Sequence, residues 1–173
     1  MTESIFVREI GRIKKAKRDI EKALDVKLNI TKNGIEIEGK EEYNEYIALR
    51  VVEALNLGFR VPEALKLKNE NYMFEIINIK KHTRPSRLST IKGRIIGREG
   101  KSLELLSELT NCYIHIKDYD VGIIGETFEI KFAVNALLNL IHGSPHSSVY
   151  AYLEKSKPLR EMKEDEKGKI SLD

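Results

Sequence analysis

Apolar residues recur along the chain with two different periods, and the switches between them mark out its elements. Over residues 72–79, aromatic and β-branched residues crowd together as a strand requires, although their alternation is not strict. Residues 87–96 carry a helical spacing. Gly97-Arg98-Glu99-Gly100 is then a glycine-bracketed turn, and residues 101–109 place Leu103 and Leu106, and Leu105 and Leu109, at helical intervals. Cys112, Ile114 and Ile116 alternate with Tyr113, His115 and Lys117, which predicts a half-buried strand; Val121 and Ile123 predict its hairpin partner after a turn at Asp118-Tyr119. Residues 126–141 close the run as a long helix whose Phe132, Leu137, Leu140 and Ile141 can cover a sheet.

The same grammar occurs once before. Sliding the sequence so that Ile10-Gly11-Arg12 falls on Ile96-Gly97-Arg98 also puts Lys15 on Lys101, Leu28 on Ile114, Ile37 on Ile123 and Val51 on Leu137. An ordered series without gaps points to an internal repeat. The first copy is expected to open with a short strand near residues 5–7 and to carry helical patterns on either side of residues 11–14. Strands at 26–30 and 35–37 and a helix ending near Leu57 complete it. Pro62-Glu63-Ala64-Leu65 reads as a linking helix with proline in its first turn. The predicted division is therefore 1–69 and 70–160, the latter with a short helix at 149–159, followed by a flexible charged tail at 161–173.

A length of 173 residues accommodates two such units, and 41% hydrophobic residues can fill both cores. A charged content of 33% and apolar runs of only a few residues, such as Ala136-Leu137-Leu138, exclude a helical membrane span, which needs about 20. Met1-Thr2-Glu3-Ser4 has neither the basic nor the apolar segment of a secretory signal, so a cytoplasmic protein is expected. The single cysteine, Cys112, forbids an intrachain disulfide and removes multi-cysteine zinc sites.

The formal charge of +3 says little; its distribution says more. Over residues 80–101, Lys80, Lys81, Arg84, Arg87, Lys92, Arg94, Arg98 and Lys101 face Glu99 alone, whereas the next segment, to residue 139, is acidic. A concentrated basic surface suits a polyanion. A Gly-x-x-Gly turn ahead of a helix also presents unpaired backbone amides, and glycines let a sugar-phosphate backbone approach closely. Lys92, Arg94, Gly97, Arg98, Glu99, Gly100 and Lys101 are thus the expected RNA-binding set, contacting phosphate rather than bases. Apolar positions on the flanking helices and on 112–116 would floor a groove for unpaired bases.

Strand, helix, Gly-x-x-Gly, helix, strand, strand, helix resembles a type I KH domain, whose loop clamps about four nucleotides of single-stranded RNA. The expected fold is α+β, with two tandem type I KH-like domains of order β-α-α-β-β-α, each a three-stranded sheet covered by helices. The run Ile91-Lys92-Gly93-Arg94-Ile95-Ile96-Gly97-Arg98-Glu99-Gly100-Lys101, the following Glu108-Leu109-Thr110 and the later Gly143-Ser144-Pro145-His146-Ser147-Ser148-Val149-Tyr150 are similar to archaeal members of the partner-of-Nob (Pno/Dim) family. That resemblance implies an RNA-binding factor in small-subunit ribosome assembly. It would engage the 3′ region of small-subunit rRNA beside pre-ribosomal proteins and the rRNA-maturation nuclease.

Two features depart from the pattern. Gly11-Arg12-Ile13-Lys14 puts lysine where a second glycine would stand, so the first copy is expected to serve an auxiliary or packing role, with Arg12, Lys14 and Lys15 as an auxiliary basic face. Glu99 sets a carboxylate beside the phosphate it should attract, which weakens the site. Arg84, Arg87, His115 and His146 are further auxiliary RNA contacts. No cofactor or metal is expected, because Gly143 and Pro145 interrupt the helix that would aim His142 and His146 at one ion. Cys112 reads as a structural thiol. Glu41-Glu42 and Asp118 with Asp120 read as solvated charges, so no enzyme is expected. The competing functions are a protein-interaction scaffold, docking through the helices at 40–57 and 126–141, and a general single-stranded nucleic-acid binder.

Overall fold

The structure, a computed structural model, describes the backbone of residues 4–32 and 34–169. The first half runs β1 (Ser4–Ile5), α1 (Ile10–Leu24), β2 (Val26–Thr31), β3 (Gly34–Gly39) and α2 (Glu42–Leu57). A short α3 (Val61–Ala64) and a 3-10 turn at Leu65–Lys68 lead into β4 (Tyr72–Asn78). Two 3-10 turns, Ile79–Lys81 and Pro85–Arg87, precede α4 (Leu88–Ile96). The glycine loop forms a third, Arg98–Gly100, ahead of α5 (Lys101–Thr110); β5 (Tyr113–Lys117), β6 (Asp120–Glu126), α6 (Thr127–Ile141) and α7 (His146–Lys169) follow.

Two antiparallel three-stranded sheets result, ordered β1-β3-β2 and β4-β6-β5, each with its last strand in the middle. Leu28 lies opposite Ile37 in one and Ile114 opposite Ile123 in the other. These four positions are the ones the sequence shift superposes.

The first half departs from the expected order. Only one helix, α1, lies between β1 and β2, so its sequence of elements is β-α-β-β-α rather than β-α-α-β-β-α. The reason is local. Ile13, Ala16, Ile20 and Leu24 form one unbroken buried stripe, Gly11 sits in the first turn of that helix, and no glycine follows to turn the chain back. Asp25, in the left-handed region at φ 51°, ends the helix instead.

The halves share apolar structure. Phe74 of β4 and Ile124 of β6 pack into the same buried cluster as Ile13, Leu28 and Leu55. Phe59, fully buried, stands edge-on to Phe74 with ring centroids 5.8 Å apart and to His115 at 4.6 Å. Gly122 makes room for this approach, since a Cβ there would lie 2.7 Å from the Phe59 ring and 2.9 Å from Leu57. One face of the second sheet is thereby covered by the end of α2 and the residues after it. Polar contacts ring the seam: Lys117 donates to Glu9 at 3.1 Å and to the Asn56 carbonyl at 2.7 Å, and Arg8 pairs with Asp118 at 3.0 Å.

The other face of that sheet carries a separate core, built from Ile91 and Ile95 of α4, Leu106 of α5 and Ala133, Leu137 and Leu140 of α6. α7 adds Val149 and Leu153 to it. This helix runs well past the expected 149–159, through Pro158 and across 161–169 of the expected flexible tail; 170–173 lie outside the described residues. Arg160 is 3% exposed and gives α7 a polar anchor. Its guanidinium pairs with Glu129 of α6, donates to the Leu109 carbonyl at 2.8 Å and lies 5.4 Å over the Phe132 ring. Glu129, in the helix at 126–141 offered as a docking surface, is buried beneath α7 instead.

Candidate nucleic-acid interface

Helix α4 ends because Gly97 adopts φ 73°, ψ 179°, a conformation that L side chains rarely take. The constraint there is also steric, for a Cβ on Gly97 would sit 2.5 Å from the Ser102 Cβ and 2.8 Å from its amide nitrogen. Gly100, at φ 76°, faces open space. Between them Glu99 is left-handed as well, at φ 55°. Non-helical backbones at Gly97, Glu99 and Gly100 thus swing the chain onto the N-terminus of α5, whose first amides lack intrahelical partners. Ser102 fixes that end, its Oγ lying 3.0 Å from the Tyr150 hydroxyl of α7.

Arg98, Glu99 and Lys101 stand exposed on this turn. Lys101 and Glu99 form a loose, solvent-screened pair at 3.9 Å, while Arg98 has no partner among the described residues. The result is an anion-accepting corner: amides at a helix start, a glycine with no side chain over it, and two cations that can swing in.

The remaining sequence-predicted contacts sort into free and engaged. Lys92 is half-buried, with Nζ 5.6 Å over the Tyr119 ring. Lys14, Lys15, Arg84 and Arg87 are exposed and unpaired among the described residues. Arg94 belongs to the structure rather than the surface, because its guanidinium donates to the carbonyls of Leu140 at 2.9 Å and Ser144 at 2.6 Å. His146 is held too, with Nε2 donating to the Arg94 carbonyl at 2.8 Å. Arg12 spends its guanidinium on the Gly58 and Phe59 carbonyls, at 3.2 and 3.0 Å. His115 lies in the seam between the halves, Nε2 3.1 Å from the Glu63 carboxylate. Four of the expected RNA contacts therefore carry packing duties.

Of Cys112, Ile114 and Ile116, expected to floor the base groove, the first two are core residues and only Ile116 is half-buried. Burial pushes the Cys112 thiol up to about 12, with the Thr110 side chain opposing. The histidines do not converge: the His142 ring meets His82, while His146 meets Arg94. Asp118 and Asp120 are occupied by Arg8 and Asn78. The sequence places Lys80 in the basic segment and Tyr119 in a turn without pairing them, whereas the fold sets Lys80 Nζ 5.4 Å from the Tyr119 ring.

Residues 73–158, which contain the glycine loop, match the second KH domain of PNO1, described as a eukaryotic-type (type I) KH domain. A KH domain-containing protein of Methanocaldococcus jannaschii is 32% identical over 154 residues, 86% of this chain and 68% of the relative. The chain belongs to the PNO1 family of KH-domain proteins. A second relative in that family, the RNA-binding protein PNO1 of Oryzias latipes, is 32% identical over 135 residues, covering 73% of this chain and 55% of its own length. The chain spans about half the length of the eukaryotic PNO1 proteins it matches. Among solved structures, the crystal structure of an a/eIF2alpha–aDim2p–rRNA complex from Pyrococcus horikoshii contains a similar chain, with TM-score 0.81 and 30% identity over 91% of this chain and 94% of that one. No helix among the described residues is long and apolar enough to cross a membrane.

Proposed function

We propose that this chain binds single-stranded RNA through the glycine loop of its second half and acts in rRNA processing during small-subunit assembly. The observation that carries the reading is the pairing of Gly97 and Gly100. One is locked against Ser102 and the other opens to solvent beside Arg98, Lys101 and the first amides of α5. The relatives named as RNA-binding and pre-rRNA-processing proteins, and the neighbour solved with rRNA, supply the substrate class. The 3′ region of small-subunit rRNA is the segment bound, and the maturation nuclease and pre-ribosomal proteins are the partners. Cleavage is assigned to the nuclease; of the acidic pairs in this chain, Asp118 and Asp120 are engaged by Arg8 and Asn78.

The two halves are read as KH-like units, 1–69 and 70–160, of which only the second clamps RNA. The strand orders support this, as does the commitment of Arg12 to carbonyls in place of a free loop.

Fluorescence anisotropy of a single-stranded oligonucleotide from the 3′ end of small-subunit rRNA tests the proposal. The variant Arg98→Asp, Glu99→Asp keeps both glycines and a side chain that tolerates the left-handed region. Wild type is expected to bind with a log–log salt slope near −2 to −3, as about 3–4 phosphates give for single strands, and the folded variant is expected to lose that binding. Equal binding by both would place RNA elsewhere. Weaker binding of the matching DNA would mark the 2′-hydroxyl as part of recognition.

A further inference from the structure

Tyr119 occupies the tight turn between β5 and β6, and two lysines from different elements converge on its ring. Lys80, from the 3-10 turn after β4, places Nζ 5.4 Å from the ring centroid, and Lys92 of α4 places its Nζ at 5.6 Å. The turn is fixed from below, because the Ile79 amide donates to the Tyr119 carbonyl at 2.8 Å. The neighbouring acids have other partners: Asp118 pairs with Arg8 at 3.0 Å and Asp120 accepts from the Asn78 amide at 2.6 Å. Neither lysine has a carboxylate partner among the described residues.

The position relative to the glycine loop matters as much as the composition. Lys92 and Ile96 are four residues apart on α4 and so share a face, about 6 Å apart along the axis, and Gly97 follows directly. Ile96 is half-buried and belongs to neither apolar core. One continuous track therefore leads from the loop along Ile96 and Lys92 to Tyr119 and Lys80.

We propose that Tyr119, flanked by Lys80 and Lys92, is a second RNA subsite, where one base stacks on the tyrosine ring and its adjoining phosphates draw the two ammonium groups. In the free protein the lysines rest against the ring, an arrangement worth little in contact with water. An arriving strand offers each ammonium a phosphate and the ring a base, so every group trades a weak partner for a stronger one. The subsite extends the RNA-binding reading above and rests on it. It adds an aromatic stacking contact that the loop, made of glycine and charged side chains, cannot provide.

The test uses the full chain and RNAs of roughly ten nucleotides, within the span such surfaces cover, with a single 2-aminopurine walked through the sequence. Wild type and Tyr119→Phe are expected to quench the probe at one position outside the nucleotides whose backbone the glycine loop clamps. Tyr119→Leu, which keeps apolar bulk at the turn, is expected to lose that quenching and about 5- to 150-fold in affinity. Lys80→Gln is expected to shallow the log–log salt slope by about 0.7, the loss of one single-strand phosphate contact. Unchanged quenching in Tyr119→Leu, or an unchanged slope in Lys80→Gln, overturns the subsite while leaving the loop in place. Absence of wild-type binding overturns both.

Discussion

His146 donates through Nε2 to the backbone carbonyl of Arg94 at 2.8 Å, while the guanidinium of that arginine holds the carbonyls of Leu140 and Ser144. This closed circuit ties the helix leading into the glycine loop to the end of α6 and the start of α7. It gives the Gly143-Ser144-Pro145-His146 segment a role as a buttress that sets the loop's position from behind.

Arg94 and Arg98, one turn apart in sequence, are therefore expected to fail in opposite ways. Arg94→Ala removes two hydrogen bonds from a charged donor and should lower stability by about 1.5–3 kcal/mol, seen as a fall in the denaturation midpoint. Arg98→Ala should leave that midpoint unchanged and weaken RNA binding with a shallower salt dependence. If Arg94→Ala leaves stability intact, the buttress is wrong.

The buried pair of Glu129 and Arg160 predicts a non-additive result. Glu129→Ala strands the Arg160 charge and should cost about 3–5 kcal/mol in urea denaturation. Joining it with Arg160→Met should recover most of the loss, since an apolar pair can replace a buried ion pair at little cost. Two single losses that simply add would show that the residues do not depend on each other.

The Cys112 thiol, held up near 12 from an ordinary value of 9.0, makes stability fall in alkali. The folded state keeps the proton that the unfolded state releases above about pH 9, so its contribution is full below that pH and is lost toward pH 12, by up to about 1.4 kcal/mol per pH unit. Cys112→Ala should flatten the difference in stability between pH 8.5 and 10.5 relative to wild type. Exchange of the native thiol with Ellman's reagent should be far slower than after unfolding, which titration of native and denatured protein would reveal.

Most elements could be read from periodicity because each buries one face, and a half-buried face writes its period into the sequence. The strand at 113–117 and the helix at 127–141 emerged in this way, and so did the glycine loop, whose two glycines answer a steric need at 97 and a backbone need at 100. The single helix of the first half was hidden by the sequence shift: superposing Gly11 on Gly97 suggested a loop that the unbroken stripe from Ile13 to Leu24 does not permit. The length of α7 was hidden because its anchor, Arg160, looks like a surface residue until Glu129 is found beneath it. Within the site, a cation's residue type shows that it can meet a phosphate, but only the fold shows whether a carbonyl has already claimed it. Arg12 and Arg94 illustrate the second case, Arg98 and Lys101 the first.

Phe74 and Ile124, rooted in the second sheet yet packed into the first half's core, couple the two halves. A fragment beginning near residue 70 would carry the glycine loop but expose both side chains, along with the floor at Gly122 on which Phe59 rests. Melting of the whole chain should accordingly follow one cooperative transition. The first half thereby serves as a foundation on which the sheet carrying the glycine loop rests.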